Sequence, residues 1–90
     1  MLVLPAELSH ERADACCRML AQALRAQPGD QAVADASALH HFDSSALAVL
    51  LDCRREALAL GKRLSISRMP QRLRDLATLY GVAELLPAAA

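Results

Sequence analysis

The chain predicts a small α/β domain, a mainly parallel sheet flanked by helices in the order strand, helix, strand, helix, strand, helix. Three observations carry this. Short apolar runs at Met1–Pro5 and Ala32–Ala36, and an alternating polar–apolar run at Lys62–Ser67, are bounded by turn residues. Stretches with apolar residues at helical spacing lie between and after them. Glycine or proline marks each change of pattern, at Pro28-Gly29, Gly61 and Gly81.

The elements follow in order. Met1-Leu2-Val3-Leu4-Pro5 reads as a strand ended by a proline that cannot donate to a ladder. Ser9 stands at an N-cap position, with Glu11 and Asp14 near the positive end of the helix dipole. Ala13, Cys16, Cys17, Leu20 and Leu24 then form one helical face. The cysteines on it read as small core hydrophobes. Ala32 to Ala36 is a buried central strand, whose small side chains predict helices pressed close on both faces of the sheet. Ser37 to Phe42 is a loop. A second helix starts at Asp43-Ser44-Ser45, residue types whose oxygens accept hydrogen bonds from the free N–H groups of a first turn. Its apolar positions make two stripes, Leu47, Leu50, Leu51, Leu58 (with Arg54) and Val49, Cys53, Ala57, Leu60, so more than one neighbour should cover it. Gly61 stops it. Lys62 to Ser67 alternates polar and apolar residues, as in a strand near a sheet edge. Pro70 suits the first turn of a third helix with Leu73, Leu76, Ala77 and Tyr80 on one face, and Val82 to Pro87 is a short apolar tail.

Composition bounds what such a domain can do. Ninety residues make one domain, residues 1–90, able to bury roughly 60–65% of its extended surface in a single modest core. Ten basic and ten acidic residues cancel, against the footprint of a nucleic-acid binder. The charge is nonetheless uneven: Arg54, Arg55, Lys62, Arg63, Arg68, Arg72 and Arg74 face the single acid Glu56 in that interval. Three cysteines, two adjacent and none in a C-x-x-C pair, fit a reducing cytoplasm better than a disulfide framework, zinc site or redox couple. No window reaches the ~20 apolar residues of a membrane span. One Phe and one Tyr leave no stacking platform for bases. His40, His41 and Asp43 do not make a metal site, because neighbouring residues on an extended segment point to opposite sides. Neither a glycine-rich phosphate loop nor a G-x-S-x-G elbow is present, so no cofactor and no catalytic residue is assigned.

The stretch Asp35-Ala36-Ser37-Ala38-Leu39-His40-His41-Phe42-Asp43-Ser44-Ser45-Ala46-Leu47 resembles the signature of STAS domains, in which a strand with Asp, Ser and an apolar residue leads to Asp-Ser/Thr-Ser/Ala-Gly-Leu at a helix start. The stretch Leu73 to Pro87, with Leu-Ala-Thr-Leu-Tyr-Gly-Val-Ala-Glu-Leu-Leu-Pro, is similar to the MlaB branch, the small subunit of the bacterial lipid-asymmetry ABC transporter. The likeness covers nearly the whole chain. It departs in two places. Ala46 replaces the family glycine, placing a methyl group where a partner would come close, and the chain begins at what would be the family's second strand. The missing first strand implies an open edge, shielded by its shortness or paired with another chain, as in a homodimer.

The resemblance implies a non-catalytic cytoplasmic subunit, peripheral to the inner membrane through its partner, which docks on the ATPase of a phospholipid transporter. Ser44, Asp43 and Ser45 are the implied partner-contact or phosphorylation-like residues, with Ala46 and Leu47 beside them. Arg68 and Arg72 are a second candidate contact, read from the basic stretch itself, whose simpler reading is a solvated face. A hydroxyl at a helix start can cap the helix, meet a partner, or do both. A rival within the family is an anti-sigma factor antagonist phosphorylated on Ser44 by a partner kinase. A rival outside that role is a module binding a lipid or nucleotide.

Overall fold

The computed structural model describes residues 2–89. Strands β1 (Leu2–Val3), β3 (Gln31–Asp35) and β5 (Arg63–Ser67) form a parallel sheet in that order, with α1 (Ala13–Ala26) and α2 (Ser45–Ala59) as the connections. Two short strands, β2 (Glu7–Leu8) and β4 (His41–Phe42), pair in parallel as a second, two-stranded sheet. Helix α3 (Gln71–Leu79) and a 3-10 turn at Ala83–Leu85 complete the domain. The α/β class and the three main helices match the sequence reading. The first strand is shorter than expected, and β2 and β4 lie where loops were expected. Two residues each are too few to show a period.

The register is continuous. β3 pairs with β5 along its whole length, from Gln31↔Arg63 to Asp35↔Ser67, and with β1 at Leu2↔Ala34 and Val3↔Asp35. The far side of β5 is partly covered by the C-terminal residues, because Ile66 N–H donates to Pro87 O (2.8 Å) and Ala89 N–H to Ile66 O (2.9 Å). On the other side β1 is the outermost strand among the described residues, and Val3 is largely exposed.

The two connecting helices, α1 and α2, cover one face of the sheet. Ala32, Ala34, Leu64 and Ile66 are buried, whereas the alternating positions Val33, Asp35, Ser65 and Ser67 are only half-buried. Strand order explains it. Two successive parallel connections that step the same way and share one hand put both helices on the same side; covering both faces needs a reversal of direction, which the order β1-β3-β5 lacks. The small side chains of β3 therefore admit α1 and α2 closely on a single face. There α1 packs on α2, with Cys16, Leu20 and Leu24 in one core with Leu50, Cys53 and Ala57.

Several side chains depart from the sequence reading. Tyr80 and Leu58 are more than half exposed, and Leu60 is exposed as well, since each lies at or near a helix end beyond its neighbours. Ser9 begins the 3-10 turn His10–Arg12 but makes no side-chain cap, and α1 proper begins at Ala13. Gly61 and Gly81, both at positive φ, turn the chain after α2 and α3 where a Cβ would be strained.

Lys62, counted above with the basic surface, is buried. Its ammonium donates to Gln27 O (2.5 Å) and Gly29 O (2.6 Å), satisfying carbonyls just past the end of α1. A charge placed at the negative end of a helix dipole and hydrogen-bonded there is tolerated in the interior. Lys62→Met should keep the packing of the stem while orphaning both carbonyls, lowering stability by about 1–3 kcal/mol. Urea unfolding would show this as a lower midpoint with an unchanged slope; an unchanged midpoint would show the clamp to be dispensable.

Candidate functional site

The site stands at the carboxyl ends of the parallel strands, where open α/β sheets leave their loops free. β3 ends at Asp35, whose Oδ1 accepts the Ser37 N–H (2.9 Å) and turns the chain outward. That bond is the main reason the Asp35 carboxyl lies below its ordinary pKa, with nearby Arg68 contributing. Leu39 anchors the loop in the core. The N–H groups of His40 and His41 both donate to Ala6 O (3.0 and 3.1 Å), so β2 and β4 brace the approach to α2.

Asp43 holds the start of α2. Its Oδ1 accepts the Ser45 N–H (2.8 Å) and its Oδ2 the His10 N–H (3.3 Å), so one carboxylate ties the helix start to the turn preceding α1. These bonds, the one from Ser45 first, lower the pKa of the carboxyl against the opposing effect of desolvation. Ser44 occupies the N-cap position yet makes no side-chain cap bond. Among the described residues, no hydrogen bond engages the side chain of Ser44. Ser44 is exposed and Ser45 half-buried. The capping reading thus belongs to Asp43, and the Ser44 hydroxyl is left free.

Ala46 and Leu47 do not belong to this surface. They are 0% and 4% exposed, because the first turn of α2 directs them into the core. The Ala46 methyl is thereby a packing group, with no partner-facing position, and a helix interior favours alanine over glycine by about 1 kcal/mol. The next outward residue along α2 is Ala48.

Arg68 and Arg72 flank the site from the β5–α3 side. Arg68 follows β5 with φ of 56°, the one non-glycine residue at positive φ among those described. Arg72 lies in the first turn of α3, its guanidinium 5.1 Å from the centroid of the Phe42 ring. This cation–π contact brings α3 to the segment that opens α2, a meeting that sequence spacing could not show. Neither arginine forms an ion pair among the described residues.

The cysteines lie elsewhere, between α1 and α2. Cys16 and Cys53 are buried, and Cys17 is half-buried with its thiol toward Asp52 Oδ2 (3.8 Å). Burial, with smaller contributions from the neighbouring thiols and Glu56, pushes Cys53 up to about 11, and burial also raises Cys16 and Cys17. These are protonated, packing thiols. Among the described residues, no helix is long and apolar enough to cross a membrane.

Residues 1–87 match the family described as "Mlab, STAS domain", and the chain belongs to the STAS family. Among solved structures it is similar to the anti-sigma factor antagonist SpoIIAA in its unphosphorylated form, with a TM-score of 0.74 and 19% identity over 98% of this chain and 76% of that one. At that identity the likeness concerns the fold. Among curated proteins none matches the sequence significantly.

The Asp43 carboxylate has a pH signature. Its folded pKa is depressed, so its stabilisation is present above the ordinary carboxylate value near 3.8 and disappears as pH falls through the lower folded value. Asp43→Ala should therefore be less stable than the parent at pH 7, and the difference should shrink in acid below about pH 4. Thermal melts of both proteins from pH 7 to pH 2.5 measure it. A difference that stays constant through acid would show that the charge on this carboxylate is not what matters.

Proposed function

We propose that the chain is a non-catalytic subunit of an Mla-type phospholipid transporter, docking on the transport ATPase through the exposed start of α2. The observation that carries this reading is the match of residues 1–87 to the family described as "Mlab, STAS domain". The geometry supports a contact role for Ser44. Its hydroxyl is exposed and unengaged, because Asp43 performs the capping. The docking surface is Asp43, Ser44 and Ser45, extended by Ala48 and, across Phe42, by Arg72 with Arg68.

Arg68 and Arg72 are the part of the surface that suits an acidic counterpart; beside them Asp43 and Asp35 stay ionised while accepting backbone N–H groups, and Glu7 is paired with Arg12 at 3.2 Å. Arg68 and Arg72 have no ion-pair partner among the described residues, so their charge is available to carboxylates on the ATPase. The ATPase supplies the energy of transport, and this chain supports its assembly or activity from the cytoplasmic side of the inner membrane.

The likeness to SpoIIAA supports a second reading, an anti-sigma factor antagonist switched by phosphorylation of Ser44. The same hydroxyl would serve, since a phosphate of about −1.5 to −2 charge beside Asp43 changes the surface from one that attracts acidic groups to one that repels them.

Co-purification from the native cell separates the two. The wild-type chain should bring down an ABC ATPase, and Ser44→Lys should weaken that association at least tenfold while leaving the melting temperature nearly unchanged. Arg68→Glu with Arg72→Glu should weaken it too, and more at low salt than at high salt. Recovery of a serine kinase instead, with stoichiometric phosphate on Ser44 by mass spectrometry, would overturn the transporter reading in favour of the switch.

A further inference from the structure

The two edges of the parallel sheet differ. Beyond β5 the C-terminal residues take up both the N–H and the C=O of Ile66, whereas no described residue pairs with the outer edge of β1. Leu4 N–H donates to Asp35 O (2.9 Å), toward β3. Successive residues of a strand turn their backbone groups to opposite neighbours, so the N–H and C=O of Val3 point away from β3 and out of the sheet. The Val3 side chain is 62% exposed, on the face opposite the buried Leu2 and Leu4. Residues 2–4 carry no charge and no proline, so the edge is protected by its shortness alone.

The ground beside this edge is uncharged. α1 packs on β1 and presents Ala15, Met19, Gln22 and Ala26 to solvent at i, i+4, i+7 and i+11, with Met19 48% exposed. Pro5, at the end of β1, lines a shallow groove with Ala15, Cys16 and Met19, and the Glu7–Arg12 ion pair forms its rim. That rim holds one acid and one base. A patch that is to face its own copy needs such a balance, because a rim of one sign repels itself.

We infer that the outer edge of β1 is the seam of a homodimer, in which two copies pair antiparallel about a two-fold axis at Val3 and join their three-stranded sheets into one. Val3 N–H of each copy donates to Val3 O of the other, the doubly bonded pair of an antiparallel ladder. A second copy fits where a foreign strand does not. Between Leu2 and Pro5 the edge offers a single outward N–H, and Pro5 has none to give, so a longer strand would leave its own groups unpaired beyond the proline. The copy's edge ends at the same proline. The two-fold axis stands perpendicular to the sheet, which keeps both α1 helices on one face and brings their uncharged sides, Met19 foremost, together over the seam. The carboxyl ends of the two joined sheets, and the two α2 starts with them, point in opposite directions. None of this rests on the docking reading above.

One hydrogen-bonded pair and two narrow helix sides bury less than the roughly 800 Å² per partner of a stable complex, which places the dissociation constant at about 10–100 μM. Sedimentation of the full chain from about 5 to 500 μM spans that range, in excess reductant so that no intermolecular disulfide contributes. The mass should rise with concentration from the 9.7 kDa of one chain toward twice that value, and hydrogen exchange at the Val3 amide should slow in parallel. Val3→Pro removes the outward donor at a position where a sheet edge tolerates proline, so this variant should keep the parent's circular dichroism and stay monomeric throughout. Met19→Lys leaves the backbone edge intact and sets like charges against each other over the seam, raising the dissociation constant about tenfold or more. Should Val3→Pro fail to fold, Met19→Lys and the Val3 amide exchange decide the matter. A chain that remains monomeric at every concentration overturns the inference, and so does self-association that the two substitutions leave unchanged.

Discussion

Because β3 pairs in parallel with β1 on one side and β5 on the other, each connection must cross back over the sheet before the next strand can begin. Those crossovers are α1 and α2. With strands added in one direction both helices fall on the same face, and a single core forms between them and the buried positions Ala32, Ala34, Leu64 and Ile66. A face built on alanines lets α2 come near the sheet, so Ala46, Val49, Leu50 and Ala57 become almost wholly inaccessible. The opposite face is left half-covered. In a domain of this size one well-filled layer is what the available apolar surface allows.

The same crossovers decide what is exposed. A parallel strand gathers its outgoing loops at its carboxyl end, so the turn after Asp35, the start of α2 and the approach to α3 converge there. Asp43 then divides the labour. By accepting two backbone N–H groups it supplies the helix start and ties it to residue 10, and it relieves the neighbouring hydroxyl of any structural duty. Phe42 and Arg72 complete the arrangement from the far side. The outcome is a braced, polar surface at the start of α2.

Stability is thus carried largely by residues away from the α2 start. Lys62 and the core leucines hold the domain together away from the site, and the three cysteines serve packing between α1 and α2 as protonated thiols. At the α2 start the exposed groups are those whose loss the core would scarcely register. An exception is Asp43, whose carboxylate ties that start to residue 10.

What the amino-acid order determined by itself was the local grammar. Helical spacing from Ala13 to Leu24, alternation from Lys62 to Ser67, the Asp-Ser-Ser start and the glycines at 61 and 81 were each set by neighbours along the chain, where period and backbone preference act. The likeness of Asp35 to Leu47 to the STAS signature was legible there too. Tertiary structure alone decided the rest, since it depends on which groups meet across large separations. It buried Ala46 and Leu47, withdrew Lys62 from the basic surface, left Tyr80 in solvent and made β2 and β4 out of segments too short to show a pattern. It also assigned the cap to Asp43 over Ser44 and brought Arg72 to Phe42. Sequence spacing says which side of a helix a residue occupies; only the order of strands in the sheet says which side faces the core.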